Sequence, residues 1–222
     1  MRIRRVAIVV LAAVMAAAVQ PGLRADEIID RVLAVVSGEV ITLSDARAAR
    51  TFGLVTLPPG VDAINAVLQQ LIDRDLMLGE VEHYAPPEPD PKAIDRDLAA
   101  IRARFPSQAA YEQALLVAGF DQAHLRAVVR DNLRIQAYLD QRFPTPPAPS
   151  DEEVAQYYQT HAAAFTRNGV RLPLAQVHDE IVARLDAERR NALIAEWLAG
   201  LRVRGNLRIL YLGGSSAPAP PR

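Results

Sequence analysis

Cysteine is absent from this chain of 222 residues, and aromatic residues make up only 5% of it. The absence of cysteine excludes a disulfide framework, thiol catalysis and most structural zinc sites, so the core must come from packing alone. Charge of neither sign dominates, since 25 basic residues stand against 26 acidic ones. Hydrophobic residues make up 50% of the chain, and at this length that share predicts a folded protein with one sizeable core or two small ones.

The first 25 residues have the pattern of a secretory signal peptide. A basic stretch, Met1–Arg5, precedes an apolar run of 14 residues, Val6–Val19, and both Ala16–Ala18 and Ala25 offer small residues for cleavage. A membrane anchor is the alternative, but the run is shorter than the roughly 18 to 20 residues that span a bilayer. No cysteine follows the run, which excludes a lipid-anchored lipoprotein. We therefore expect residues 1–25 to be removed on export.

Cleavage after Ala25 makes the remaining chain acidic. It removes four arginines and no acid, so the basic count falls from 25 to 21 against 26 acids, a net charge of about −5. That charge argues against nucleic acid and against an anionic membrane surface as partners. After cleavage we expect no stable membrane insertion.

Two short β elements are predicted at opposite ends of the remaining chain. β-Branched residues surround the turn pair Ser37–Gly38 and predict a hairpin with strands near 31–36 and 39–42. The other element is an apolar strand over 207–212, followed from Gly213 by a Gly/Ser/Pro tail expected to be disordered. Because an unpaired strand is an aggregation hazard, we expect it to pair with the hairpin in a small antiparallel sheet.

The segment between these β elements is predicted to be helical. Ser44 is expected to cap the first helix, which ends at Gly53, and Ser150 to Glu153 form a capping box. Apolar spacing and caps predict helices over about 44–52, 61–83, 92–104, 107–118, 121–143, 150–165 and 174–203, with proline-rich connectors at 84–91 and 144–149 and a short loop at 166–170. The fold class is thus mostly α with a small antiparallel sheet. We expect residues 26–212 to form one discontinuous domain, composed of 26–143, the connector 144–149, and the closing helices and strand of 150–212.

Catalytic and metal-binding patterns are weak in this sequence. The four histidines, His83, His124, His161 and His178, show no metal-ligand spacing, and no serine lies in a nucleophile elbow. The acid pair Asp73 and Asp75 is predicted to face water, like most helical acids. We expect no cofactor, no metal and no catalytic residue.

One apolar loop is the first candidate for a binding surface. Four large apolar residues, Phe52, Leu54, Val55 and Leu57, lie between glycine and proline turns, and either pack on the core or remain available to a partner. Phe105 and Phe120, at helix ends, are weaker candidates for the same surface.

Several segments resemble the SurA-type periplasmic chaperones. The hairpin entry ending in Ile41-Thr42-Leu43-Ser44-Asp45 is similar to the start of that family, and 71–76 (LIDRDL) looks like a segment of its long helix. Residues 154–165 resemble the helix that precedes the parvulin-type prolyl isomerase domain in related foldases, and 174–207 resemble the helix that returns from it. A parvulin domain of roughly 90 residues would lie between these helices, where this chain has five residues.

The resemblance implies a helical cradle, closed by the C-terminal helix and strand, that holds unfolded or partly folded exported polypeptides in the periplasm. Because the catalytic domain is absent, it implies a holdase for outer-membrane or other exported proteins and not an enzyme. Two alternatives stay open: a dedicated envelope assembly or binding subunit with a single partner, and a degenerate prolyl isomerase.

Overall fold

The structure of the protein, a computed structural model, describes residues 30–56 and 63–211. Its helices are α1 Leu43–Thr51, α2 Ala63–Tyr84, α3 Pro91–Arg102, α4 Gln108–Ala118, α5 Gln122–Arg142, α6 Asp151–Thr160 and α7 Leu174–Arg204. Its strands are β1 Val32–Val36, β2 Glu39–Thr42, β3 Thr166–Arg167, β4 Val170–Arg171 and β5 Leu207–Ile209. The predicted fold class, mostly α with a small antiparallel sheet, is confirmed. The predicted signal peptide, Leu57 and the predicted tail lie outside the described residues.

The sheet brings together strands from both ends of the described chain. Its order is β2-β1-β5, and both neighbours run antiparallel to β1, so that Val36 lies opposite Glu39 on one side and Leu207 on the other. The amide of Ser37 donates to Asn206 O at 3.0 Å, which joins the β1–β2 turn to the chain entering β5. The expected pairing of the C-terminal strand with the hairpin is therefore present, although β5 is shorter than predicted. The proposed domain boundaries stay a prediction.

The N-terminal cap of α1 is Thr42 and not Ser44 as expected. The Thr42 hydroxyl accepts from the Asp45 amide, and the Asp45 carboxylate accepts from the Thr42 amide at 2.8 Å, which completes a capping box. Ser44 instead bonds to the Asp30 carboxylate through both its amide and its hydroxyl. Both residues are good caps by type, and Thr42 is the cap because Asp45 stands three residues after it.

The other predicted caps are present. Ser107, Asp121 and Ser150 accept hydrogen bonds from the first turns of α4, α5 and α6, and Ser150 shares a capping box with Glu153. The connector before α3 is shorter than predicted, because Tyr84 ends α2 and Pro91 begins α3. Proline is tolerated at this first helical position, where its missing amide hydrogen has no partner in the helix.

The segment predicted as a helix end and a loop is a second hairpin. Helix α6 ends at Thr160, a 3-10 turn covers Ala162–Phe165, and β3 and β4 then pair around Asn168 and Gly169. The φ angles of Asn168 and Gly169 are 53° and 77°, the left-handed region that two-residue hairpin turns require and that Asn-Gly adopts most easily. The five predicted loop residues therefore form a tight, regular reversal between α6 and α7.

Helix α7 crosses two separate packing regions. Its first turns pack with α6 and the second hairpin in a group that we call the hairpin cluster: Val154, Phe165, Val177 and Ile181. Its last turns carry Leu201 into the main core between the sheet, α1 and α2. A third region, the aromatic cluster, joins α1, α3, α4 and α5 around Phe52, Tyr111 and Leu125.

Candidate functional site

A groove of about 890 Å³ runs along α2 on the surface of the main core. Strand β2, the segment 54–55 and the chain from Phe120 through the middle of α5 all contribute to its lining. Part of the apolar lining is buried core, such as Val36, Ile41 and Leu76, and part consists of half-buried or exposed side chains: Val40, Leu54, Val55, Leu71, Leu78, Phe120 and Val128.

Helical spacing accounts for the α5 part of the lining. His124, Val128, Asn132 and Gln136 lie four residues apart, and residues at this interval share one face of a helix. Along α2 the lining is broader: it includes Leu71, Asp75 and Leu78, spaced four and three residues apart, and also the residues between 74 and 80. Residues of β2, α1 and the end of α7 complete the lining.

Three of the six predicted surface residues line the groove. Leu54, Val55 and Phe120 are half-buried and contribute to its wall. Phe105 is half-buried against the aromatic cluster, outside the groove lining. Leu57 lies outside the described residues. A role of these residues in binding stays a prediction.

Phe52 packs as a core residue. Its side chain is 0% exposed, and its ring lies 5.9 Å from Phe105, 6.0 Å from Phe120 and 6.4 Å from Tyr111 between centroids. In this conformation a partner cannot contact Phe52. Of the two alternatives for the loop, packing on the core and availability to a partner, Phe52 follows the first. Phe52 instead supports the groove from behind, because Phe120 stacks on it and lines the wall.

The groove lining also includes Asp75, an acid that was predicted from sequence to face water. Asp75 has a side chain only 23% exposed, and its carboxylate accepts from Arg74 Nη1 at 3.2 Å. Burial raises the pKa of Asp75; the Arg74 charge opposes the shift, whereas Asp45 and Glu39 add to it. Asp73 pairs instead with Arg202 of α7 at 2.7 Å, a contact that holds α7 against α2. The two acids of the predicted exposed pair therefore have different roles.

Several groove residues could not be recognised from sequence. From sequence, Leu71 belongs only to a predicted helix and Val40 only to a predicted hairpin strand. That they line one groove together with residues of α5 depends on how distant elements pack, and no local pattern encodes that packing. The helical spacing of Leu71, Asp75 and Leu78 is the one signal that marks a mixed apolar and acidic face.

The described residues contain no grouping of three His, Cys, Asp or Glu side chains that could hold a metal ion. Within 30–56 and 63–211, no helix is long and apolar enough to cross a membrane. Of the histidines, His124 stacks on Phe120 and His161 stacks on Tyr157, with centroids 4.1 and 4.0 Å apart.

Comparison with known proteins gives two similarities. The chain is 36% identical over 75 residues to a protein of Azotobacter vinelandii named as a putative peptidyl-prolyl cis-trans isomerase, NifM; the match covers 34% of this chain and 26% of that protein. It is also similar to a solved chain, at 12% identity and a TM-score of 0.47, over 81% of this chain and 99% of that one. No family model matches the chain.

The solved chain comes from work on the virulence factor PEB4 and the periplasmic protein Cj1289, described as two structurally related SurA-like chaperones of Campylobacter jejuni. Both similarities are thus to proteins described as chaperones or prolyl isomerases.

Proposed function

We propose that the protein is a chaperone-like holdase that binds unfolded exported polypeptides, among them outer-membrane proteins, in the groove along α2. The observation that carries the proposal is the groove itself: half-buried apolar side chains from β2, α2 and the segments before α2 and α5 form one open surface. Open apolar clefts on a rigid support are a common form of binding site. Extended chains would contact it through several weak apolar contacts, which favours fast release.

The second hairpin supports a role without catalysis. A tight Asn168–Gly169 turn joins β3 to β4, at the position where the resemblance to SurA-type foldases implies a parvulin domain. No step of a reaction is needed for the proposed activity, and dissociation alone would return the client. The periplasm is the proposed compartment, in keeping with the expected signal peptide and with the SurA-like similarity.

The test is binding of a fluorescently labelled outer-membrane β-barrel protein, diluted from urea into the purified protein and followed by anisotropy. Saturable binding at micromolar concentration, competed by unrelated unfolded chains, is the expected result. Binding to a single native partner, with no competition by unfolded chains, would replace the holdase with a dedicated assembly factor.

An isomerisation assay on a proline-containing peptide tests the remaining alternative, a degenerate prolyl isomerase. The expected rate equals the uncatalysed rate at every protein concentration. A rate that rises in proportion to the protein concentration, and falls on a single substitution, would show that the isomerase activity named for the Azotobacter vinelandii relative extends to this chain.

A further inference from the structure

Carboxylates from β2, α1 and α2 all line the groove. Glu39 of β2, Asp45 of α1 and Asp75 of α2 all belong to its lining. Glu39 and Asp45 both raise the pKa of Asp75 by their charge, in addition to the larger effect of its burial. The groove therefore holds a carboxyl group, that of Asp75, with reduced hydration and like charges nearby.

The basic residues in the groove do not balance these acids. Arg74 and Arg204 are the arginines of the lining, against the acids Glu39, Asp45, Asp75, Glu80 and Glu82. Arg74 is also shared, because its guanidinium donates to Asn132 Oδ1 at 2.8 Å and lies 3.8 Å from Asp131 Oδ2. Arg130 and Arg134 also pair with Asp131, so the excess of negative charge in the groove comes from its own lining, which has five acids and two arginines.

Apolar side chains line the same groove as this carboxylate. Asp75 is four residues from Leu71 on one face of α2, and Leu54 and Val55 also belong to the lining. A ligand that is only apolar would remove water from Asp75 without replacing its hydrogen bonds, which costs free energy. A ligand that brings a cation to this point would add a charge-assisted hydrogen bond.

We propose that the groove selects extended polypeptide segments in which a lysine or arginine is flanked by large apolar residues. The cation would lie beside Asp75, and the flanking side chains would contact Leu54, Val55 and Leu71. This inference rests on the proposed holdase function and adds a charge preference to it.

The test uses three labelled peptides of identical apolar sequence whose central residue is lysine, glutamine or glutamate. The protein and its Asp75→Asn variant are titrated with each peptide, and Asp179→Asn, at a fully exposed position of α7, serves as the matched control. We expect the lysine peptide to bind about fivefold to tenfold more tightly than the glutamate peptide, the scale of a partly desolvated charge pair. Asp75→Asn should remove most of that difference, and Asp179→Asn should keep it.

The possible outcomes test the charge preference and the holdase function separately. Equal binding of all three peptides would overturn the preference and leave the holdase standing. Binding of neither the peptides nor an unfolded protein would overturn both. A change in oligomeric state on Asp75→Asn, with no change in peptide affinity, would show that a second copy of the chain occupies the groove, and the proposal would fail.

Discussion

The two hairpins of this chain have similar turns and very different surroundings. Ser37 and Gly38 turn β1 into β2 with φ angles of 51° and 101°, and Asn168 and Gly169 turn β3 into β4 with 53° and 77°. The first hairpin pairs with β5 and borders the groove, whereas β3 and β4 pair with each other in a two-stranded sheet beside the hairpin cluster. The comparison teaches that the first turn supports long-range structure beside the groove, while the second reverses the chain between two helices.

The largest expected effect comes from removing a buried ring from the aromatic cluster, which supports the groove, or from the hairpin cluster. Phe52→Ala and Phe165→Ala each remove a ring with almost no exposure, and each should cost about 3 to 5 kcal/mol of unfolding free energy. Only Phe52→Ala should also weaken client binding, because Phe120 of the groove stacks on Phe52. Urea unfolding measures the stability of both variants, and anisotropy measures client binding under conditions where both are folded. A loss of binding in Phe165→Ala alone would contradict the comparison.

Removing β5 tests whether the first hairpin depends on the distant C-terminal strand. Deletion of residues 207–212 removes the pairing with Ala34 and Val36 and exposes the core beside them. We expect a loss of about 2 to 3 kcal/mol, from half-buried apolar contacts and several hydrogen bonds. Hydrogen exchange should accelerate in β1 and stay unchanged in β3 and β4. Unchanged melting of the N-terminal half would contradict the discontinuous domain.

Inserting the same flexible segment into each turn tests whether the two turns have different roles. Ten Gly/Ser residues placed between Asn168 and Gly169 should cost only loop-closure entropy, about 1.5 kcal/mol, with client binding unchanged. The same insertion between Ser37 and Gly38 adds the loss of the Ser37 hydrogen bond to Asn206 and puts new chain at the groove, which Ser37 lines. Thermal melting and anisotropy are the readouts, and equal effects on binding at both sites would remove the distinction.

The smallest expected effect is a difference in pH dependence between Asp75 and Glu153. Burial raises the pKa of Asp75, so its ionisation costs stability, a cost that disappears as the pH falls through the carboxyl range. The Ser150 amide, and then Arg189, lower the pKa of Glu153, so its contribution is present at neutral pH and lost on acidification. Asp75→Asn should therefore raise Tm at about pH 7, and Glu153→Gln should lower it, and both differences should shrink between about pH 5 and pH 3. Shifts of the same sign at neutral pH would contradict this assignment.

Local features were predictable from the sequence, and the groove was not. The caps Ser107, Asp121 and Ser150 each accept from the amide three residues later, so the local sequence encodes them directly. The second hairpin was missed although Asn168–Gly169 is a strong turn signal, because each strand is only two residues long. The groove joins Leu71 to Phe120, about 50 positions apart, and its opening depends on how α5 packs beside α2. That packing has no local sequence signature.

The most direct test of the central claim compares two exposed valines, one in each hairpin. Val40 on β2 lines the groove and is 50% exposed, and Val170 on β4 is 67% exposed. Val40→Gln and Val170→Gln make the same chemical change on a short strand, so their effects on stability should be similar. We predict that Val40→Gln weakens binding of the unfolded β-barrel protein about threefold to tenfold, the scale of about 1 kcal/mol of lost apolar contact, and that Val170→Gln leaves it unchanged. Weakened binding by Val170→Gln, with Val40→Gln unchanged, would contradict the assignment of the groove as the client site.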